Sequence, residues 1–101
     1  MSVLVTMKIH GDTAKFRASL TDRAADYARI AQMAQGAGGV HHRFGIGDGF
    51  VLVIDEWESA EHFDKFFGQP DLHSFIGSVG GDLAQPPELT IAEEVSSPDQ
   101  Y

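Results

Sequence analysis

The sequence predicts a small α+β domain in which strands and helical regions follow one another in the order β-α-β-β-α-β. Three observations support this fold class: β-branched runs recur along the chain, apolar residues at helical spacing separate them, and an Asp-Gly pair joins two adjacent runs. At 101 residues the chain has room for one hydrophobic core. Its composition, 43% hydrophobic and 22% charged, is typical of a folded domain.

The first strand and the first helical region precede residue 40. The run SVLVTMKIH at residues 2–10 predicts strand one. Asp12 is placed to cap the helix that follows, and GAGG at 36–39 ends it. The apolar residues of this helix recur every three or four positions and predict one buried face. They are Phe16, Leu20, Ala24, Tyr27, Ala31 and Ala34.

A hairpin, a second helical region and a last strand complete the domain. Strands two and three, at 40–46 and 50–57, flank the turn residues Asp48 and Gly49. Ser59 caps a short helix through Phe67, and Pro70 starts another helical segment that ends within GSVGG at 77–81. ELTIAEEV predicts strand four. This order is the split βαβ arrangement of ferredoxin-like folds, with a four-stranded antiparallel sheet. We assign 1–96 to one domain and 97–101 to a polar C-terminal tail.

Charge and cysteine content exclude several classes of function. The formal net charge is −8, with 15 acidic against 7 basic residues. This balance argues against binding to nucleic acids and to anionic membrane surfaces. The absence of cysteine excludes disulfides, thiolate metal sites and cysteine nucleophiles. No run approaches the roughly 18 apolar residues of a membrane helix, and no basic leader is visible. We therefore expect a cytoplasmic protein whose partner is a small neutral or weakly acidic ligand, or another protein.

The Asp-Gly turn sets the expected register of the hairpin. If Asp48 and Gly49 form the turn, His42 faces Asp55 on the neighbouring strand. By the same rule Val40 faces Trp57, Phe44 faces Val53, and Ile46 and Val51 share their face. The other face carries His41, Arg43, Gly45, Leu52, Ile54 and Glu56. A β-bulge in either strand would change these partners.

The first of these faces is the more apolar, so we expect the helices to cover it. That choice places His42, Asp55 and Trp57 at one end of an apolar cavity. As catalytic residues we select His42, which would take a proton from a bound ligand, and Asp55, which would hold the imidazole and make it more basic. Trp57 would give a flat wall for an aromatic guest. The alternative is a cross-strand ion pair at a sheet margin, with Trp57 simply part of the core.

Other polar and glycine patterns are weaker signals. The glycines near residue 47 are followed by a strand, whereas a phosphate loop is followed by a helix. Glu58 and His62 are four residues apart, but a metal site needs three or more converging ligands, so we predict no metal. The substrate-binding residues that we select are aromatic, and the same cluster is compatible with plain core. They are Trp57, Phe44, Tyr27, Phe63, Phe67 and Phe75.

Residues 2–96 resemble the small antibiotic-biosynthesis-monooxygenase-type (ABM) domains of the dimeric α/β-barrel superfamily. The segment DEWESAEHFDKFF, which runs off strand three into a short helix, carries the resemblance, and its most specific piece is the acid-Trp-x-Ser-x-Glu-x-Phe stretch at 56–63. The resemblance implies a homodimer in which two four-stranded sheets pack into a barrel with the helices outside. The face that carries His41 and Arg43 would then line the barrel interior or its rim.

The resemblance also implies a function. Some ABM domains oxidise phenolic or anthrone-like polyketides with molecular oxygen and no cofactor, and His42 as base, Asp55 as its support and Trp57 against the ring fit those roles. The expected partners are a small aromatic molecule and a second copy of the chain, with no cofactor. Two alternatives stay open: a non-catalytic dimeric module that binds a small aromatic ligand or supports a partner, and an isomerase or lyase that uses the same base without oxygen.

Overall fold

A computed structural model describes residues 2–101 of the chain. Its elements are β1 (Val3–His10), α1 (Thr13–Asp22), α2 (Ala24–Gly36), β2 (Gly39–Gly47), β3 (Phe50–Trp57), α3 (Ala60–Phe67), α4 (Pro70–Ser78) and β4 (Glu88–Glu93). The predicted α+β fold with the order β-α-β-β-α-β is confirmed, and each helical region consists of two consecutive helices. No helix within residues 2–101 is long and apolar enough to cross a membrane.

The four strands form one antiparallel sheet in the order β2-β3-β1-β4. The two central strands, β1 and β3, pair along their whole lengths, from Val3 opposite Trp57 to His10 opposite Phe50. The hairpin strand β2 and the last strand β4 are therefore the two edges of the sheet. An edge position leaves β2 without a neighbouring strand on one side, so its side chains can remain partly exposed to solvent.

The hairpin has the predicted register over most of its length. His42 pairs with Asp55, Phe44 with Val53, and Ile46 with Val51. The turn is made by Asp48 and Gly49, and Gly49 has a φ of 79°, which a residue without a Cβ adopts at little cost. The predicted pairing of Val40 with Trp57 is wrong. A register shift between Gly39 and His41 sets Gly39 opposite Trp57, as expected where a bulge inserts one residue.

Both predicted N-caps are confirmed. The Asp12 carboxylate accepts a hydrogen bond from the backbone N–H of Lys15 at 3.0 Å. The Ser59 hydroxyl accepts one from the backbone N–H of His62 at 3.1 Å and so begins α3. These local side-chain contacts satisfy backbone donors that the first helical turn leaves without partners.

The first helical region differs from the single helix predicted. Arg23, with φ −119° and ψ 28°, separates α1 from α2. Its guanidinium bonds Asp26 at 2.7 Å and Ser78 at 3.1 Å and lies over the Phe75 ring, so contacts with α4 hold the chain at this break. Because the helix breaks here, the buried face of α1 differs from that of one continuous helix. Ser19 is buried, whereas Leu20, which was predicted to be buried, is exposed.

The sheet has an inner face, covered by the helices, and an open face. The inner face carries Val5, Met7, Val51, Val53, Asp55 and Trp57, all buried, together with His42 and Phe44. The open face carries Leu4, Thr6, Leu52, Ile54 and Glu56, together with His41 and Arg43. The prediction that the helices cover the His42 face is confirmed.

Two hydrophobic clusters fill the space between the inner face and the helices. One is formed by Val5 and Trp57 with Phe63 and Phe66 of α3. The other is formed by Phe16, Val51 and Val79. Burying each large side chain of this kind contributes about 1.5–3 kcal/mol relative to leaving it in water. The clusters therefore hold the helices on the sheet and set the walls of the space between them.

Candidate active site

Three neighbouring side chains of the inner face form a hydrogen-bonded chain. Asp55 accepts a hydrogen bond from the indole N–H of Trp57 through one carboxylate oxygen at 3.0 Å. Its other oxygen lies 2.6 Å from Nδ1 of His42. Asp55 and Trp57 are buried, and His42 has 49% of its side chain exposed. The predicted His42–Asp55 pair therefore exists, and the indole holds the carboxylate in place.

The hairpin explains why these three side chains meet. Asp55 and Trp57 are two residues apart on β3, so both side chains point to the same face of the sheet. His42 is directly opposite Asp55 on β2, and the Asp48–Gly49 turn fixes that register. Because β2 is an edge strand, the imidazole remains half in solvent while its partner carboxylate is buried.

The bond to Asp55 determines which nitrogen of a neutral His42 carries the proton. An ionised carboxylate only accepts hydrogen bonds, so the Nδ1 that faces Asp55 donates to it. The lone pair of the neutral imidazole is then on Nε2. With Nδ1 bonded to Asp55, Nε2 is the nitrogen of a neutral His42 that can accept a proton, and the Trp57 indole bonds the second carboxylate oxygen.

An apolar cavity of about 440 Å³ lies between the inner face and the helices. All eight residues predicted for the site line it: the pair His42 and Asp55, and the aromatic residues Tyr27, Phe44, Trp57, Phe63, Phe67 and Phe75. A space of this size is within the range of small-molecule sites, which are mostly apolar with a few convergent polar groups. The structure brings the predicted residues together without showing their roles.

Aromatic rings form two groups along this cavity. The Phe44 ring contacts His42 with the centroids 4.5 Å apart, Tyr27 at 6.1 Å and Phe16 at 5.0 Å, all edge to face. The second group contains Trp57, whose ring centroid lies 5.7 Å from that of Phe63. Edge-to-face pairs of this kind are a favourable aromatic geometry. The cavity therefore offers flat apolar surfaces on both sides of the His42–Asp55 pair.

The sequence interpretation selected Tyr27 for its aromatic ring and missed the polar contact that its hydroxyl makes. The Tyr27 hydroxyl lies 2.7 Å from the hydroxyl of the buried Ser19. Burial raises the pKa of the Tyr27 phenol, so it remains protonated near neutral pH. Ser19 lies on α1 and Tyr27 on α2, on either side of the break at Arg23, so the spacing of one continuous helix does not predict this contact.

His62 and His73 each have a local partner. His62 lies 3.7 Å from Glu58 and bonds the Ser59 hydroxyl, and His73 donates to the Phe67 carbonyl at 2.6 Å. Within residues 2–101, no three His, Asp or Glu side chains converge as metal ligands would.

Comparison with known proteins gives the fold a context. No protein-family model and no curated protein sequence matches the chain. Among solved structures, SnoaB, a cofactor-independent oxygenase from Streptomyces nogalater, is similar with a TM-score of 0.63 and 16% identity over 98% of both chains. An antibiotic biosynthesis monooxygenase has a TM-score of 0.63 and 10% identity, covering 93% of this chain and 99% of its own.

A third structure extends this likeness beyond monooxygenases. A dimeric ferredoxin-like protein from an uncultured marine organism has a TM-score of 0.63 and 12% identity, over 99% of this chain and 93% of its own. At these low identities the similarity concerns the fold, and the resemblance stated from the DEWESAEHFDKFF segment is confirmed at that level. The chain has the ferredoxin-like fold that these structures share.

Proposed function

We propose that the protein is a cofactor-independent monooxygenase-like enzyme that acts on a planar aromatic molecule held in the cavity. The observation that carries this proposal is the hydrogen-bonded chain from Trp57 through Asp55 to His42 at the edge of an apolar space. Similarity to a cofactor-independent oxygenase adds support through the fold. The proposal treats 1–96 as the domain and 97–101 as its tail. The cytoplasmic location stays a prediction.

His42 acts as the general base in this proposal. Its Nε2 removes a proton from an acidic C–H or O–H of the ligand, and the resulting imidazolium is stabilised by the Asp55 carboxylate. Asp55 contacts the base and not the ligand, so it is a positioning residue. The aromatic side chains, among them Phe44 and Trp57, hold the ligand plane and exclude water from the anion.

Molecular oxygen is the co-substrate and the ligand is the source of electrons. For an activated methylene, the carbanion passes one electron to oxygen, and the two radicals combine into a peroxide that takes the proton back from His42. Loss of water from this hydroperoxide leaves a carbonyl. One oxygen atom is then in the product and the other in water, so no external reductant is needed.

We also propose that the protein forms a homodimer through the open face. Leu4 and Ile54 lie on adjacent strands of this face with 44% and 49% of their surface exposed. An apolar area in the middle of a sheet is unusual for a surface that faces water on its own. The dimeric ferredoxin-like structure of similar fold supports the same arrangement.

The test is oxygen uptake with a panel of anthrones, naphthols and hydroquinones in metal-free buffer with catalase controls. We expect His42→Ala to lower the rate by about 10²–10⁴-fold, the usual contribution of a general base. His62→Ala is the matched control, because this histidine bonds the Ser59 hydroxyl, lies near Glu58 and is not among the residues that line the cavity, so its loss should leave the rate unchanged. An unchanged rate in His42→Ala, with the fold intact, would remove His42 from the mechanism.

The second candidate is a non-catalytic dimeric module that binds an aromatic ligand. The half-exposed position of His42 on an edge strand favours it, since a stabilising cross-strand ion pair has the same appearance. Binding of panel compounds by the parent protein without oxygen uptake above background would decide for this candidate. Turnover without oxygen uptake would indicate an isomerase or lyase that uses the same base.

A further inference from the structure

Three oxygen atoms on α1 and α2 form a short hydrogen-bonded relay beside the cavity. The Ser19 hydroxyl lies 2.5 Å from the Phe16 carbonyl oxygen and 2.7 Å from the Tyr27 hydroxyl. Ser19 is buried, and Phe16 and Tyr27 both line the cavity. The relay therefore connects the helix backbone to a polar group of the cavity wall.

The chemistry of these atoms fixes the direction of the relay. A carbonyl oxygen has no proton, so Ser19 is the donor in its bond to Phe16. A serine hydroxyl has a single proton, and that bond uses it. The proton between Ser19 and Tyr27 must then come from Tyr27, whose O–H points at Ser19. The Tyr27 oxygen is left with acceptor capacity only.

The position of Tyr27 makes this asymmetry relevant to a ligand. Its ring contacts Phe44 at a centroid distance of 6.1 Å and Phe75 at 5.1 Å. Phe44 in turn contacts His42 at 4.5 Å. His42 and Tyr27 are therefore both neighbours of one ring, and a molecule of two fused aromatic rings could reach both polar groups.

We propose that Tyr27 selects aromatic ligands that present an O–H or N–H donor at the end remote from His42, and that Ser19 sets this selectivity by holding the tyrosine proton. The inference rests on the proposed use of the cavity and adds the substrate class: a bicyclic or larger aromatic with a polar hydrogen at each end. A ligand that offers only a carbonyl to Tyr27 finds no proton there.

The experiment is calorimetric titration with two probes of similar shape, naphthalene-1,5-diol and 5-hydroxy-1-tetralone. Both keep one phenol for His42, but at the other end the first has a hydroxyl and the second a carbonyl. One hydrogen bond between neutral groups contributes about 0.5–1.5 kcal/mol, so we expect the parent to prefer the diol by about two- to tenfold, after correction for its two equivalent orientations.

Two variants separate the effect of the hydrogen-bonded relay from the effect of the shape of the Tyr27 ring. Tyr27→Phe should bring the ratio of the two affinities close to one, since phenylalanine keeps the ring and loses the acceptor. Ser19→Ala should raise affinity for the ketone, because the freed Tyr27 proton can then be donated to the carbonyl. Circular dichroism checks that both variants are folded.

The outcomes separate this inference from the proposed function. The same ratio in the parent and in Tyr27→Phe overturns the selectivity but leaves the cavity as a ligand site. An unchanged ratio in Ser19→Ala overturns the assigned direction of the relay. Failure of both probes to bind the parent overturns the use of the cavity and the inference with it.

Discussion

The two faces of the sheet come from the same four strands and differ in what covers them. On the inner face, Trp57 and Val53 are buried under helices, and the buried carboxylate of Asp55 has two hydrogen-bond partners. On the open face, Leu4 and Ile54 are exposed on adjacent strands. The helices therefore cover only one of the two apolar faces of the sheet. The inner face supplies the stability and the cavity, and the open face has apolar area available for association.

The largest expected effect is on the free energy of unfolding, and it differs between the inner face and the open face. Phe63→Ala removes a buried ring that packs on Trp57, and such truncations cost about 3–5 kcal/mol. Domains of this size have roughly 5–15 kcal/mol in total, so the variant should lose a large fraction of its stability. Ile54→Ala is the open-face control and should change the free energy of unfolding by only about 0.5 kcal/mol when measured at high dilution. Urea unfolding followed by circular dichroism measures both, and equal losses would contradict the contrast between faces.

The inner face was predictable from sequence because its determinants are local. The Asp48–Gly49 turn sets the hairpin register, and alternation along β3 then places Asp55 and Trp57 on one side. Two adjacent strands and one turn were enough to bring His42 to its partner. The eight predicted site residues line one cavity for this reason, together with the helical spacing of the aromatic residues.

The main departure from prediction depends on contacts between distant segments. The break at Arg23 is held by Ser78 and the Phe75 ring, more than fifty residues away. This contact has no local sequence signal, and the burial of Ser19 follows from the helix break. The register shift near Val40 is a shorter-range feature, and it occurs where Gly39 packs closely against the Ala34 carbonyl at the end of α2.

The second effect tests what the open face is for. Ile54→Arg places a charge in the centre of its apolar area, and burial of an unpaired charge between two copies is costly. We expect the parent to be a dimer by sedimentation equilibrium and this variant to be a folded monomer. Met33→Arg, at an equally exposed apolar position on α2, should remain a dimer. A monomeric parent, or an Ile54→Arg dimer as tight as the parent, would contradict association through the open face.

The smallest effect concerns an acidic pair at one end of the open face. The neighbouring Glu56 carboxyl raises the pKa of Glu94, with His41 opposing the shift. A raised pKa in the folded chain means that folding favours the protonated acid. The pair therefore costs stability when both groups are ionised, near neutral pH. That cost disappears as pH falls through the raised pKa towards the ordinary glutamate value of about 4.3.

Glu94→Gln isolates this pair from the other acids. Asp26 and Glu88 have lowered pKa values because of bonds to Arg23 and His10, so acid weakens the parent through them and its total stability need not rise. The informative quantity is the difference between variant and parent. We expect Glu94→Gln to be the more stable at pH 7, with the difference shrinking by pH 4, and Glu93→Gln at the adjacent acid is the control for the loss of one negative charge. Because the pair belongs to the open face, dimer formation should enlarge the difference by covering it. A difference independent of pH would mean that the two carboxyls do not share a proton in the folded protein.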